Sequence, residues 1–290
     1  LQYVFIKNIK NLLSEGISDE KGNRIIGLQT IITTHSSHIV SECDFDDIKY
    51  FKRISNSSVV SKNLKDLKIR YKDEKDPQNN HFKFLKQYLT LNYAEIFFAD
   101  KVILFEGETE SILLPAMLKK IDEETPSSTE LPMLSQNISL IASGAYSQIF
   151  DKFLEFVGIK TLIITDLDSG KETQIVDKNG HSRTVTVAHP VDGGTLTTND
   201  ALLHYYKTPL SKYSGGNQLD FFTNLSKENK ILRNNAGCWE SDPNGTLMIV
   251  FQTKEKDDYY PRSFEDAFIQ INRDFMIAHQ DTFESLKNRD

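Results

Sequence analysis

The sequence predicts an α/β fold with a parallel central sheet flanked by helices. Three observations predict it. Compact apolar stretches of strand length lie at Lys101–Phe105, Ile138–Ala142 and Lys160–Thr165. Each ends in small, acidic or turn-forming residues, and helix-periodic apolar patterns at Ser111–Ile121 and Tyr146–Phe156 separate them. Strands joined by right-handed helical crossovers become parallel neighbours whose carboxyl ends share one edge. Leu247–Gln252 reads as a fourth strand.

With 290 residues and 39% hydrophobic content, the chain can bury one large core or two modest ones. Its 14 Gly and 8 Pro show no period, and 18 Phe and 11 Tyr supply core surface, which excludes fibre and disorder. No apolar run approaches the roughly 20 residues that span a bilayer, so no membrane segment is expected. Cys43 and Cys238 lack CxxC or Cys/His spacing, so neither a disulfide framework nor zinc is suggested and a reducing, cytoplasmic setting is expected. The net charge of −7 excludes a uniformly positive surface, yet nucleic acid remains compatible through local bases or bound cations. Between Lys49 and Lys75, nine bases (Lys49, Lys52, Arg53, Lys62, Lys65, Lys68, Arg70, Lys72, Lys75) face three acids, Asp66, Asp73 and Glu74. That stretch reads as a solvated linker surface or a phosphate-facing one.

Taken in order, Leu1–Leu13 has helical spacing, and the chain is expected to start inside a domain. Ile25–Thr34, centred on Ile31 and Ile32, suits a buried strand running into His35-Ser36-Ser37-His38, where Ser36 or Ser37 opens a short helix to Cys43. Ile48–Phe51 and Val59-Val60 flank a turn at Ser55–Ser58 and read as a hairpin. Residues 61–98 read as a linker followed by a helix at Phe82–Phe98, with domains at 1–60 and 99–290. Within the latter, Gln174–Val187 forms a hairpin about Asn179-Gly180, in a region of inserted hairpin and loops around 170–245. Lys171, Lys178 and Arg183 on that hairpin are surface decoration or a guide for nucleic acid. Pro190–Asn199 reads as a loop, Asp200–Tyr206 as a helix and Trp239 as a packing residue. Ser263 has the look of a helix cap, followed by an apolar stripe of Phe264, Phe268 and Ile271.

The strand ends carry the chemistry. Lys101–Phe105 runs into Glu106-Gly107-Glu108-Thr109-Glu110, where Gly107 permits a sharp turn and Glu106 and Glu110 point to one side of the strand-to-helix junction. Lys160–Thr165 runs into Asp166-Leu167-Asp168, whose alternation sets two carboxylates on one face. Taken singly, Glu108 and Glu110 could serve a helix N-terminus and the aspartates a solvated turn. Taken together they form a crevice of hard oxygen donors suited to Mg²⁺ or Mn²⁺, which would relieve the repulsion between them.

KVILFEGETE followed by IITDLD resembles the Toprim domain, a metal-dependent nucleic-acid catalytic fold. TTHSSHI, LNYAEIFFADKVILFEGETE and PRSFEDAFI, in that order, resemble the overcoming-lysogenization-defect (OLD) family, which joins an ABC-type ATPase to a C-terminal Toprim domain. The resemblance implies that residues 1–60 end an ATPase lobe, with His35 as a nucleotide-sensing histidine, and that residues 99–290 are the Toprim catalytic domain. It implies Glu106 as general acid or base and metal ligand, Asp166 and Asp168 as catalytic metal ligands, and Glu110 as support for a second ion. Ser263 and Glu265 would approach that second ion, or Ser263 would simply cap a helix, and Arg262 would meet a phosphate. The implied cofactors are two Mg²⁺ or Mn²⁺, with ATP at the ATPase lobe of the intact protein. The implied activity is DNA cleavage or nicking, coupled to the ATPase and serving phage defence, by a homodimer that acts on DNA with a helicase or effector as partner. Two elements of the pattern find no match: a Lys-x-x-Phe-Ala segment, for which Lys287 is a poor substitute, and a phosphate-cradling glycine loop. The missing lysine keeps open a non-catalytic scaffold that binds DNA or a partner and holds metal structurally.

Overall fold

The computed structural model describes residues 31–72, 76–125, 131–176, 180–255 and 258–282, with a few positions among residues 1–30. In chain order these form strands β1 (Ile17–Ser18) and β2 (Arg24–Ile26), helix α1 (Ser37–Ser41), strands β3 (Lys49–Ser55) and β4 (Ser58–Asn63), and helices α2 (Leu67–Arg70) and α3 (Asn80–Asn92). There follow β5 (Lys101–Phe105), α4 (Glu108–Glu124), β6 (Ile138–Ala142), α5 (Asp151–Val157) and β7 (Lys160–Ile164). Then come β8 (Ser169–Val176), β9 (Ser182–Ala188), β10 (Leu196–Thr197), and α6 (Asp200–Tyr205), α7 (Lys207–Ser211) and α8 (Gln218–Thr223). The chain closes with β11 (Ile231–Asn235), β12 (Cys238–Ser241), β13 (Leu247–Val250), α9 (Phe264–Ile271) and α10 (Arg273–Ala278). Two compact units emerge: Leu1–Val102 with Asn137–Ser139 and Ile149–Ile159, and Ile103–Gln136 with Leu140–Gln148 and Lys160–Asp290. This division differs from a single boundary near residue 99, because α5 clusters with the first unit.

In the first unit, the expected buried strand through Ile31 and Ile32 is absent. β2 ends at Ile26, residues 31–36 have no regular structure, and Ile31 is 84% exposed. Among the described residues, no strand lies beside these two adjacent isoleucines to pair with them. The helix expected at Leu1–Leu13 lies outside the described residues, as do Lys75, Lys178 and Lys287. The β3–β4 hairpin forms as expected. The segment read as linker is instead built in: Leu64, Leu67 and Tyr71 are buried, and the Tyr71 hydroxyl donates to Ile149 O (2.6 Å) and accepts from Phe153 N (3.1 Å). Phe45 meets Phe82 and Phe97 edge-on, and Phe97 meets Phe153, with centroids 5.8–6.3 Å apart.

Part of the basic stretch has a structural task. Gly158 ends α5 at φ +67, the left-handed conformation that suits glycine at a helix C-terminus. Lys52 donates to Gly158 O and Lys62 to Phe156 O, while Lys62 and Arg70 lie 5.4 and 5.1 Å from the Phe156 ring centroid. Cations here satisfy orphan carbonyls and offset the negative end of the helix dipole.

Six strands form one sheet of order β12-β11-β13-β7-β5-β6. It is the expected central, largely parallel sheet flanked by helices. β13 pairs parallel with β7 from Leu247 opposite Thr161 to Val250 opposite Ile164, and the β11–β12 hairpin adds antiparallel strands at one edge. Val102–Phe105 are all buried, as a strand covered on both faces requires. A three-stranded sheet, β10-β8-β9, stands beyond the aspartates, and β8 starts directly after Asp168. The helix expected at Tyr146–Phe156 is split into a 3-10 segment, Gly144–Phe150, and α5. Trp239 is buried against Tyr205, with centroids 5.3 Å apart, in the packing role expected. The stripe on α9 is not core, since Ile271 is 67% exposed. Among the described residues, no helix is long and apolar enough to cross a membrane.

Candidate active site

The sheet order sets β7 between β5 and β13, so the residues just past their carboxyl ends are Glu106, Thr165–Asp166 and Gln252. Gly107 turns the chain from β5 into α4, and a Cβ there would fall 2.8 Å from Glu110 Oε2. That oxygen accepts from Gly107 N at 3.1 Å, so Glu110 folds back over its own helix start, nearly fully buried.

After β7, Leu167 is completely buried. Asp168 does not continue the strand alternation, because its φ of +47 turns it into the left-handed region, a strained setting for a non-glycine residue. Its backbone is held by Asp168 N donating to Arg262 O (3.2 Å) and by Thr198 N donating to Asp168 O (3.0 Å).

Each acid has protein partners. Glu106 Oε1 accepts from the Thr165 hydroxyl, from Asn199 Nδ2 at 2.9 Å and from Asp166 N at 3.4 Å. Asp166 Oδ1 accepts from Gln252 Nε2 (2.7 Å) and from Phe264 N at the start of α9 (2.8 Å). Asp168 Oδ1 lies 3.3 Å from Arg262 Nη2, and Arg262 Nε donates to Ser169 O at 3.0 Å. Ser263 caps α9 by accepting from Asp266 N (3.3 Å), and its hydroxyl donates to Glu265 Oε2 at 3.2 Å.

The electrostatics tie these groups into two sets that share Glu106. Burial pushes the Asp166 carboxyl up to about 7, helped by the charges of Glu106 and Asp168, against the lowering effect of the Gln252 and Phe264 bonds. Burial also raises Glu110, with Glu265 and Glu106 adding to it. Glu265 is lowered, chiefly by a hydrogen bond from its own backbone N–H at the start of its helix, with Thr109 and Ser263 also donating to it. The charge of Glu106 thus acts on both Asp166 and Glu110.

The structure therefore brings together Glu106, Glu110, Asp166, Asp168, Arg262, Ser263 and Glu265 in one unit. It does not converge any three of the described acids, histidines or cysteines into a ready cation cage. Each carboxylate is turned onto a protein donor instead. His35 is exposed before α1, in the other unit.

Three residues of this site went unread in the sequence: Thr165, Asn199 and Gln252. Thr165 and Gln252 sit at carboxyl ends of adjacent parallel strands, the edge where α/β folds place chemistry. That position was the available signal. Asn199 shows in the sequence only as a polar residue before a helix.

A sheet with this order, carrying a glutamate after one strand and an Asp-x-Asp turn after its neighbour, defines a Toprim-type domain. Residues 97–168 match the family described as "Overcoming lysogenization defect protein-like, TOPRIM domain". The chain is 29% identical over 279 residues to Endonuclease GajA of Bacillus cereus (strain HuB5-5), covering 94% of this chain and 35% of that protein. It is 29% identical over 147 residues to Old nuclease of Escherichia phage P2, covering 49% of this chain and 22% of that protein. The chain thus spans about a third or less of the length of these curated relatives. No solved structure matches it.

Proposed function

We propose that the chain is the catalytic part of a metal-dependent DNA endonuclease that cleaves or nicks phosphodiester bonds. The observation that carries this reading is the meeting of Glu106 and Asp166 past the ends of the neighbouring strands β5 and β7, where Asp166 N donates to Glu106 Oε1 at 3.4 Å. The names of the two relatives, an endonuclease and a nuclease, support it.

The donor set fits hard divalent cations. All five groups are carboxylates, and Asp166 is desolvated and crowded by like charge, a strain that an oxygen-seeking dication would relieve. Asp166, Asp168 and Glu106 would hold one Mg²⁺ or Mn²⁺, and Glu106, Glu110 and Glu265 a second. Such ions, when bound, would supply a nucleophilic water and neutralise the leaving oxygen.

The chain's own groups do the rest. Glu106, oriented through Oε1, has its other oxygen left to serve as a metal ligand or as general base toward a water. Arg262 pairs with Asp168, and its fork suits a phosphate of the bound strand. Gln252 and the start of α9 fix Asp166, so a charged group is positioned without reorganisation. The ATPase coupling, the nucleotide-sensing role of His35, dimer formation, a helicase or effector partner, a cytoplasmic setting and a role in phage defence belong to this proposal through family resemblance alone.

The deciding experiment incubates supercoiled plasmid with the full chain and Mn²⁺. Asp166→Ala and Glu106→Ala are expected to abolish cutting while the Trp239 fluorescence of the folded protein persists. Undiminished cutting by either variant refutes the assignment. Binding of plasmid without scission by the unaltered chain favours the scaffold reading that the unmatched lysine element keeps open.

A further inference from the structure

We infer that Thr165 and Asn199 are positioning residues that hold one oxygen of Glu106 and so decide which oxygen is left for cation and water. The inference rests on the nuclease reading above. Glu106 Oε1 accepts from three donors, the Thr165 hydroxyl, Asn199 Nδ2 and Asp166 N, whereas Oε2 accepts none from the described residues. Three donors saturate one carboxylate oxygen and leave the other as the only lone-pair source for a ligand.

The clamp is rigid. Thr165 and Asn199 are 1% and 4% exposed. Asn199 Nδ2 donates to Thr165 Oγ1 at 2.9 Å as well as to Glu106, so the threonine hydroxyl, having accepted from the amide, has its proton directed at the carboxylate. Asn199 Oδ1 accepts from Leu202 N at 3.1 Å and caps α6, and Asn199 N donates to Thr197 Oγ1 at 3.0 Å.

Capping alone does not call for asparagine. Serine or aspartate caps a helix as well, but serine has no amide to reach Glu106, and aspartate would set another carboxylate against it. The amide is the part of this side chain that only the clamp requires.

The same short stretch holds the other acid turn. Thr197 Oγ1 donates to Leu167 O at 2.7 Å, and Thr198 N donates to Asp168 O at 3.0 Å. Residues 197–199, returning from the β8–β9 insertion, latch the Asp166–Asp168 turn and Glu106 to a common frame.

The test uses Thr165→Val, Thr165→Ser and Asn199→Ser in the full chain, with Mn²⁺ binding read by electron paramagnetic resonance and plasmid nicking read at limiting Mn²⁺. Loss of a group that orients a metal ligand typically costs 10–100-fold in metal affinity or activity. Thr165→Val and Asn199→Ser are therefore expected to weaken Mn²⁺ binding by about 10-fold or more and to lower kcat, with KM for DNA unchanged. Thr165→Ser keeps the hydroxyl and is expected to restore both readouts, and Asn199→Ser keeps the cap. Trp239 fluorescence reports folding of each variant.

Wild-type Mn²⁺ affinity and nicking in Thr165→Val and Asn199→Ser overturn the inference and leave the nuclease reading standing. A Thr165→Ser variant as impaired as Thr165→Val also overturns it, because the hydroxyl would not be what matters. An unaltered chain that neither binds Mn²⁺ nor nicks DNA removes the nuclease reading and this inference with it.

Discussion

Replacing Asp166 by Asn is expected to make the metal-free protein more stable at pH 8 while destroying its function. Asn at this position keeps an oxygen for both donors that Asp166 Oδ1 now serves, Gln252 Nε2 at 2.7 Å and Phe264 N at 2.8 Å. What it removes is a charge that burial and the neighbouring Glu106 and Asp168 disfavour. The Asp166 carboxyl stands at about 7 in the fold, against about 3.9 in an unfolded chain. That gap corresponds to at most about 4 kcal/mol, and partial solvent access trims it to about 2 kcal/mol. The sign follows from the raised value. The fold binds this proton more tightly than the unfolded chain does, so the group's contribution is fully present below about pH 4 and is lost as pH rises through 7. In EDTA, urea unfolding followed by Trp239, the single tryptophan, should show Asp166→Asn about 2 kcal/mol more stable than wild type at pH 8. The advantage should shrink toward zero near pH 4. Adding Mn²⁺ should reverse the order, since a ligand at 100 times its Kd stabilises by about 2.7 kcal/mol only the protein that binds it. A variant less stable than wild type at pH 8 in EDTA would refute the reasoning, because the ionised carboxylate would then be a favourable member of the metal-free site.

Two further outcomes are expected. Because protons compete with the ion at Asp166, Mn²⁺ affinity measured by isothermal titration should fall by up to about 10-fold per pH unit below 7 and level off above it; a flat profile from pH 5.5 to 8 contradicts the raised carboxyl. Gly158→Ala places a Cβ at φ +67 and 2.5 Å from Lys52 Nζ, so scanning calorimetry should register a loss of about 1–2 kcal/mol, whereas an unchanged Tm would show that the end of α5 adapts.

The parallel sheet was legible because its strands are short apolar runs bounded by turn chemistry, and a strand buried on both faces writes that pattern into contiguous residues such as Val102–Phe105. The acids were legible for a related reason: Glu106 and Asp166 each follow such a run directly. Ile31 and Ile32 show the limit of the same signal. They form an apolar pair, but burial needs a partner strand, and none lies beside them among the described residues. Lys62 and Lys52 read as solvent or phosphate contacts because their true partners, carbonyls at the end of α5, lie 94 and 106 positions away. Asn199 was hidden for the same reason. Its cap to Leu202 is local, while its bonds to Glu106 and Thr165 span 93 and 34 residues. Capping chemistry is written in the neighbouring sequence, and a clamp across the sheet is not.

The choice between an enzyme and a scaffold turns on why Asp166 is acidic at all. A purely structural junction at the end of β7 would be served by asparagine, which accepts the same two hydrogen bonds without a desolvated charge. Instead the fold retains a carboxyl held near 7 beside two other acids, places Asp168 at positive φ, and anchors Glu106 through one oxygen only. The raised carboxyl and the positive φ each cost stability, and all three features meet at one sheet edge. Departures from the best local choice that accumulate at a single place mark a site kept for its chemistry. A divalent ion held by the carboxylates would offset that cost, and the Arg262 fork beside Asp168 would suit a phosphate of the bound strand.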